Sequence, residues 1–162
     1  MLYIHYTNTM TNIGYPISEI VGEVTRECVM TRTRRIARVI TNLYDSYLRP
    51  HGINAPQFSL LVMVAKMGSA SRAEIGRANR QERSTLTRNL ALLLEQGWVE
   101  EVVSAGGRSR PIIISETGKA LLEQAVPSWR TAQEKARQLL GQESIGTLLR
   151  MENNLAQTES SA

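Results

Sequence analysis

Apolar residues recur at intervals of three, four and seven through Val29, Ile36, Ile40, Leu43 and Tyr47, the pattern of one buried helix face. The spacing predicts a long helix from about Ser18 to Leu48. Arg49-Pro50-His51-Gly52 ends it, because proline cannot continue a helix and glycine turns freely. The residues before it, polar and rich in threonine and asparagine, hold no sustained period and read as a loose arm over 1–17, or as an upstream extension if Met10 is the natural start. Phe58, Leu61, Val62 and Ala65 mark the apolar face of the next helix. Asn54 is its N-cap, Pro56 sits in the first turn, Gln57 reaches back, and Gly68 closes it. Ser71 and Glu74 form a second capping box, opening a short helix to Asn79. A third helix runs from about Glu82 to Gln96 with Leu86, Leu90 and Leu93 on one stripe, and Gly97 stops it.

Valine and isoleucine then flank a Gly-Gly-containing loop, Ser104 to Arg110, which predicts a β-hairpin from Trp98–Val103 and Pro111–Ile114. Ser115 caps a further helix reaching Pro127. Trp129–Leu140 and Ser144 to about Leu155 are helical, separated by Gly141, and the tail from Gln157 to Ala162 frays. Short helix, turn, amphipathic helix, hairpin is the order of a winged helix-turn-helix. The expected fold is mainly α with a small β-hairpin wing (α+β), a single domain over 1–162 with the winged unit at 52–118.

Composition narrows the picture only a little. Hydrophobic residues make up 42% and charged residues 21% of 162, ordinary for a soluble globular chain with room for one core. The first sixteen residues have no basic n-region and no apolar run is long enough to span a bilayer, so a cytoplasmic protein with no membrane partner is expected. A lone cysteine, Cys28, excludes an internal disulfide framework. The formal net charge is +4, and lysine occurs only at 66, 119 and 135, so arginine supplies most of the cations. Arginine suits phosphate and guanine recognition through its planar fork, although a high-GC genome inflates arginine equally well.

On a helical wheel, Ser84 and Arg88 lie opposite the Leu86/Leu90/Leu93 stripe, flanked by Thr85 and Thr87. Short hydroxyls let a helix approach the major groove closely, and an arginine among them can reach a guanine edge or a phosphate. Arg83 and Asn89 belong to the same helix, and Arg80 and Arg83 sit where phosphates would meet its N-terminus. The hairpin loop carries Arg108 and Arg110 and no acid, which suits a narrow minor groove. Leu92 falls on the presumed DNA side without explanation.

From about Thr33 to Leu122 the sequence resembles the MarR (multiple antibiotic resistance regulator) family. The likeness is carried by Tyr44-Asp45 with Leu48, Gln57-Phe58-Ser59-Leu60-Leu61, Glu82 to Leu90, Leu93, Gly97-Trp98-Val99 and Ser115-Glu116-Thr117-Gly118. Arg83 to Leu90 is its most specific stretch. The resemblance implies a homodimer in which the terminal helices, 18–50 and 119–157, interlock. Each chain then offers one winged helix to half of an inverted repeat in double-stranded DNA. It further implies a transcription regulator, usually a repressor, released by a small aromatic or phenolic ligand or by oxidation. A ligand pocket would use Tyr44, Tyr47 or Phe58, residues that core packing explains equally well. Two positions depart from the pattern. Gly107 stands where the family wing usually carries an Asp, and the reactive cysteine of the peroxide-sensing branch aligns near Met30 instead of Cys28.

Cys28 between Arg26 and Arg32 is a candidate redox residue, since both cations favour a thiolate, yet a helical cysteine also packs as a small hydrophobe. His5 and His51 lack metal-ligand neighbours, and Glu100-Glu101 point to opposite faces of a strand. No nucleophile–base pair and no phosphate-cradling loop is found, so neither an enzyme nor a cofactor is expected. The rival readings are a redox regulator of the same fold acting through Cys28 and a winged-helix module that binds protein instead of DNA.

Overall fold

The structure, a computed structural model, describes residues 16–80, 82–103 and 110–160. The chain divides into two compact units, 1–37 and 38–162. In the first, helix α1 (Ile17–Glu27) buries none of its side chains: Ile17, Ile20, Val21 and Val24 form an exposed apolar stripe. The continuous helix expected from Ser18 to Leu48 is instead broken at Cys28, whose ψ of 105° is extended, and α2 (Val29–Leu48) starts afresh. The break is held locally. The Arg32 guanidinium donates to the Arg26 carbonyl that α1 leaves open, and Cys28 Sγ accepts from the Thr31 N–H and hydroxyl at 3.4 and 3.2 Å. Cys28 thus acts as an N-cap, a role the periodicity of its neighbours does not disclose.

The second unit is built around α3 (Ala55–Met67). A short 3-10 turn at Arg49–His51 and Gly52, at φ 78°, reverse the chain into it. The Asn54–Gln57 capping box forms as expected, and Asp45 Oδ1 accepts the Ala55 N–H at 2.7 Å. Phe58 and Leu61 are buried, but so are Leu60 and Val64, whereas Val62 is 42% exposed. A single amphipathic stripe was the wrong pattern for α3, because the hairpin and helices α4 (Arg72–Asn79), α5 (Arg83–Glu95) and α6 (Glu116–Leu140) pack around it and bury a wider arc. The Ser71–Glu74 box caps α4, and Leu86, Leu90 and Leu93 of α5 enter the core.

Strands β1 (Val99–Glu101) and β2 (Ile112–Ile114) pair antiparallel with Val99 opposite Ile114 and Glu101 opposite Ile112. Ala70 bridges Ile112 on the far side of β2, with backbone hydrogen bonds of 2.8 and 3.2 Å, a pairing not expected from the sequence. Ser115 caps α6 by accepting from Gly118 N at 3.0 Å while donating to the Gly97 carbonyl at 2.6 Å. The expected stop at Pro127 is absent: α6 runs through it to Leu140. Leu121, Ala125, Ala132 and Ala136 form one buried stripe across that proline, so packing carries the helix past the missing N–H. Helix α7 (Gln142–Ser160) follows Gly141 and runs on into the tail expected to fray from Gln157; Leu148, Leu149, Met151 and Leu155 are exposed on it.

Candidate nucleic-acid interface

Helix α5 is oriented by its leucines. With Leu86, Leu90 and Leu93 at 4%, 0% and 0% exposure, the opposite face must turn outward. Arg83, Ser84, Thr85, Thr87 and Arg88 are all exposed, and Asn89 is half-buried at the edge. No acidic residue occurs from Arg83 to Leu94, so the charges this face presents are all positive. Thr87 Oγ1 donates to the Arg83 carbonyl at 2.8 Å. Its proton is therefore committed to the helix, and outward it offers lone pairs and a methyl group. Leu92 stays 38% exposed.

The turn leading into α5 is tight. Arg80 ends α4 in the left-handed region at φ 48°, unusual for a residue with a side chain. Glu82 is the N-cap of α5 but makes no side-chain capping bond.

Of the wing, Arg108 lies outside the described residues. Arg110 is exposed, with Nη1 3.9 Å from Glu101 Oε2. The other carboxylate oxygen of Glu101 accepts from Arg72 Nη2 at 2.6 Å, a bridge linking the first turn of α4 to the end of β1. Nothing local in the sequence signals this pair, which is 29 residues apart.

A cavity of about 320 Å³ lies between α2, α3 and α6, lined by Ile40, Thr41, Tyr44, Leu48, Ala55, Phe58, Ser59 and Trp129. Two of the three expected aromatic residues, Tyr44 and Phe58, line it; Tyr47 does not, and Trp129 takes the third place. Tyr44 donates its hydroxyl to Gln133 Oε1. Burial pushes its pKa up, partly countered by the Arg137 charge.

Cys28 does not contribute to either region. Its pKa is lowered, first by the Thr31 hydroxyl and then by the Thr31 N–H. The expected cause, two flanking arginines, is corrected: the Arg32 guanidinium is turned to the Arg26 carbonyl. His51 Nε2 pairs with Ser128 Oγ at 2.9 Å, a bond joining the 3-10 turn to α6. Among the described residues no cluster of His, Cys, Asp and Glu has the arrangement to hold a metal, and no helix is long and apolar enough to cross a membrane.

Two short helices meeting at a tight turn, an outward helix face free of acids and a hairpin behind it define a winged helix-turn-helix protein. The MarR family model matches residues 51–108. The transcriptional regulator MosR of M. tuberculosis, solved in complex with DNA, is 33% identical, with a TM-score of 0.70 over 83% of this chain and 98% of that one. A mutant of MarR from E. coli, solved with operator DNA, shares the fold at 21% identity and a TM-score of 0.70, covering 88% of this chain and 99% of its own. YwoH of Bacillus subtilis, an uncharacterized HTH-type transcriptional regulator, is 26% identical over 88 residues, 54% of this chain and 64% of that relative, so under two thirds of its length is matched. The chain belongs to the MarR family. Family and fold are those of transcription regulators.

Proposed function

We propose that the chain is a homodimeric, cytoplasmic repressor that reads an inverted-repeat operator in double-stranded DNA and leaves it on binding a small aromatic or phenolic ligand. The observation that carries this reading is the outward face of α5, where Ser84, Thr85, Thr87 and Arg88 stand exposed with no acid among them. Such a face fits the major groove: Arg88 reaches a guanine edge, and Arg83 with Arg80 lies beside flanking phosphates. Because the Thr87 proton is already used, Thr87 accepts from a cytosine or adenine amino group or packs on a thymine methyl. Asn89 supports this face from its edge, and the wing arginines Arg108 and Arg110 supply the minor-groove contact. Solved relatives that hold DNA support the same assignment.

The dimer is supported by the exposed apolar stripes of α1 and α7, which a second copy would cover. The cavity at Tyr44, Phe58 and Trp129 has the size and aromatic lining a small aromatic ligand needs. Cys28 serves as a helix cap in this reading. A protein-binding module is disfavoured because Leu92 is the only large apolar side chain exposed on α5.

Footprinting on the DNA flanking the gene, with and without a panel of aromatic acids, tests the proposal. Protection of two half-sites about 10 bp apart, or a multiple of that, lost on adding one of the acids, is expected. Absence of any protected site overturns it.

A further inference from the structure

We propose that Glu101 is a specificity-determining residue: its carboxylate ties the wing to the helix-turn-helix and keeps two arginines from indiscriminate phosphate binding. This inference rests on the DNA-reading function proposed above, and concerns a residue that does not itself touch DNA.

The backbone sets the arrangement. Ala70, immediately before the Ser71 N-cap, bridges Ile112 of β2, and Ile112 is also the ladder partner of Glu101 in β1. Three chain segments distant in sequence therefore lie side by side, and Arg72, in the first turn of α4, comes level with Glu101. Oε1 takes Arg72 Nη2 at 2.6 Å and Oε2 lies 3.9 Å from Arg110 Nη1. The two cations come from different functional parts, Arg72 from the helix-turn-helix and Arg110 from the stem of the wing. The Glu101 side chain is 27% exposed, against 43% for Arg72 and 72% for Arg110. The acid is the most sheltered member, and the cations converge on it from the solvent side. Its neighbour Glu100 is exposed on the other face of the strand.

Two effects follow. The paired arginines contribute less to phosphate attraction than free ones, because each phosphate contact must compete with the carboxylate. The wing stem is fixed relative to α4, so contacts by the wing and by α5 occur in one register. Removing the carboxylate charge therefore raises affinity for any DNA while lowering discrimination. A purely structural role predicts something different, a loss of stability with affinity for all DNA falling together.

The test measures binding of the full-length chain and its Glu101→Gln and Glu101→Asp variants to a footprinted operator and to scrambled DNA over a salt series. For Glu101→Gln, scrambled DNA should bind several-fold more tightly at low salt. The slope of log affinity against log salt should steepen by about one for each arginine released into phosphate contact. The operator-to-scrambled ratio should fall by about threefold or more, with the melting temperature little changed. Glu101→Asp, which keeps the charge, should recover most of the ratio. If the wild-type chain discriminates and Glu101→Gln keeps the same ratio and slope, this inference fails alone. If scrambled-DNA affinity falls in step with stability, Glu101 is structural and the inference also fails. A wild-type chain that never distinguishes the two DNAs overturns the functional reading and this inference with it.

Discussion

Gly118→Ala should destabilise the protein, although alanine is the better helix former by up to about 1 kcal/mol and Gly118 lies in the first turn of α6. An added Cβ would stand 2.0 Å from the Trp98 carbonyl oxygen and 2.9 Å from Ile114 Cγ1. The isoleucine end can rotate, but the carbonyl is backbone. It is also in use, accepting the Ser115 N–H at 3.1 Å, next to a Gly97 carbonyl that accepts from Ser115 and Thr117. Relief requires α6 to move away from the turn between α5 and β1, breaking part of that network. Overpacking costs about 1–3 kcal/mol and a lost hydrogen bond about 1, which against a propensity gain of at most about 1 leaves a net loss of about 1–4 kcal/mol. For a chain of this size that lowers Tm by roughly 2–15 °C. Urea titration at fixed protein concentration measures it, as a lower midpoint with an unchanged slope. Because the displaced turn follows α5 directly, operator affinity should weaken even at temperatures where the variant stays folded. A neutral or stabilising Gly118→Ala would show that helix propensity outweighs the carbonyl contact, and that the α5–wing–α6 junction is looser than argued.

Other substitutions probe separate parts of the argument. Arg88→Ala should cost about 1–3 kcal/mol of operator binding for each protomer in contact and relax preference at particular base pairs, read from competition with single-base operator variants. Stability should be unaffected, since Arg88 is exposed. The Cys28 thiol, held below its ordinary pKa by Thr31, should alkylate with a pH midpoint below that of the urea-unfolded chain, and Thr31→Val should raise that midpoint. Glu74 is held below the usual carboxylate range by the Ser71 hydroxyl and N–H, so its stabilisation is present above the unfolded pKa and lost as pH falls through the folded one. Glu74→Gln keeps a capping partner without the titration. Wild type and variant should therefore differ in stability near neutrality and converge below about pH 4, as followed by denaturant melts.

The parts of the fold readable from sequence are those decided within a few residues. Asn54, Ser71 and Ser115 each cap a helix whose partner lies three residues on, and all three are found as expected. The α5 stripe was equally plain, because one helix face meets one core. Elsewhere distant segments decide. Pro127 is a helix breaker by itself, and only the small buried residues on both sides of it keep α6 continuous. Val62 fits an apolar periodicity, but its exposure depends on which elements surround α3. At the candidate interface the outward face of α5 could be derived from the wheel, whereas the Arg72–Glu101 bridge and the place of Trp129 in the cavity need the tertiary fold.

The ladder order, Ala70 then β2 then β1, leaves β1 with no strand beyond it among the described residues. An uncovered strand is a template on which another molecule can extend the sheet, and hydrophobic ones invite aggregation. Here the exposed rim is only three residues long and two of them are glutamates, opposite three consecutive isoleucines in β2. The exposed Glu100 therefore guards solubility: growth of the sheet past β1 would set like charges beside one another at each added strand. The most β-prone segment of the chain is kept on the inner side of a charged border, so the wing stays a hairpin at concentrations where an apolar rim would recruit its neighbours.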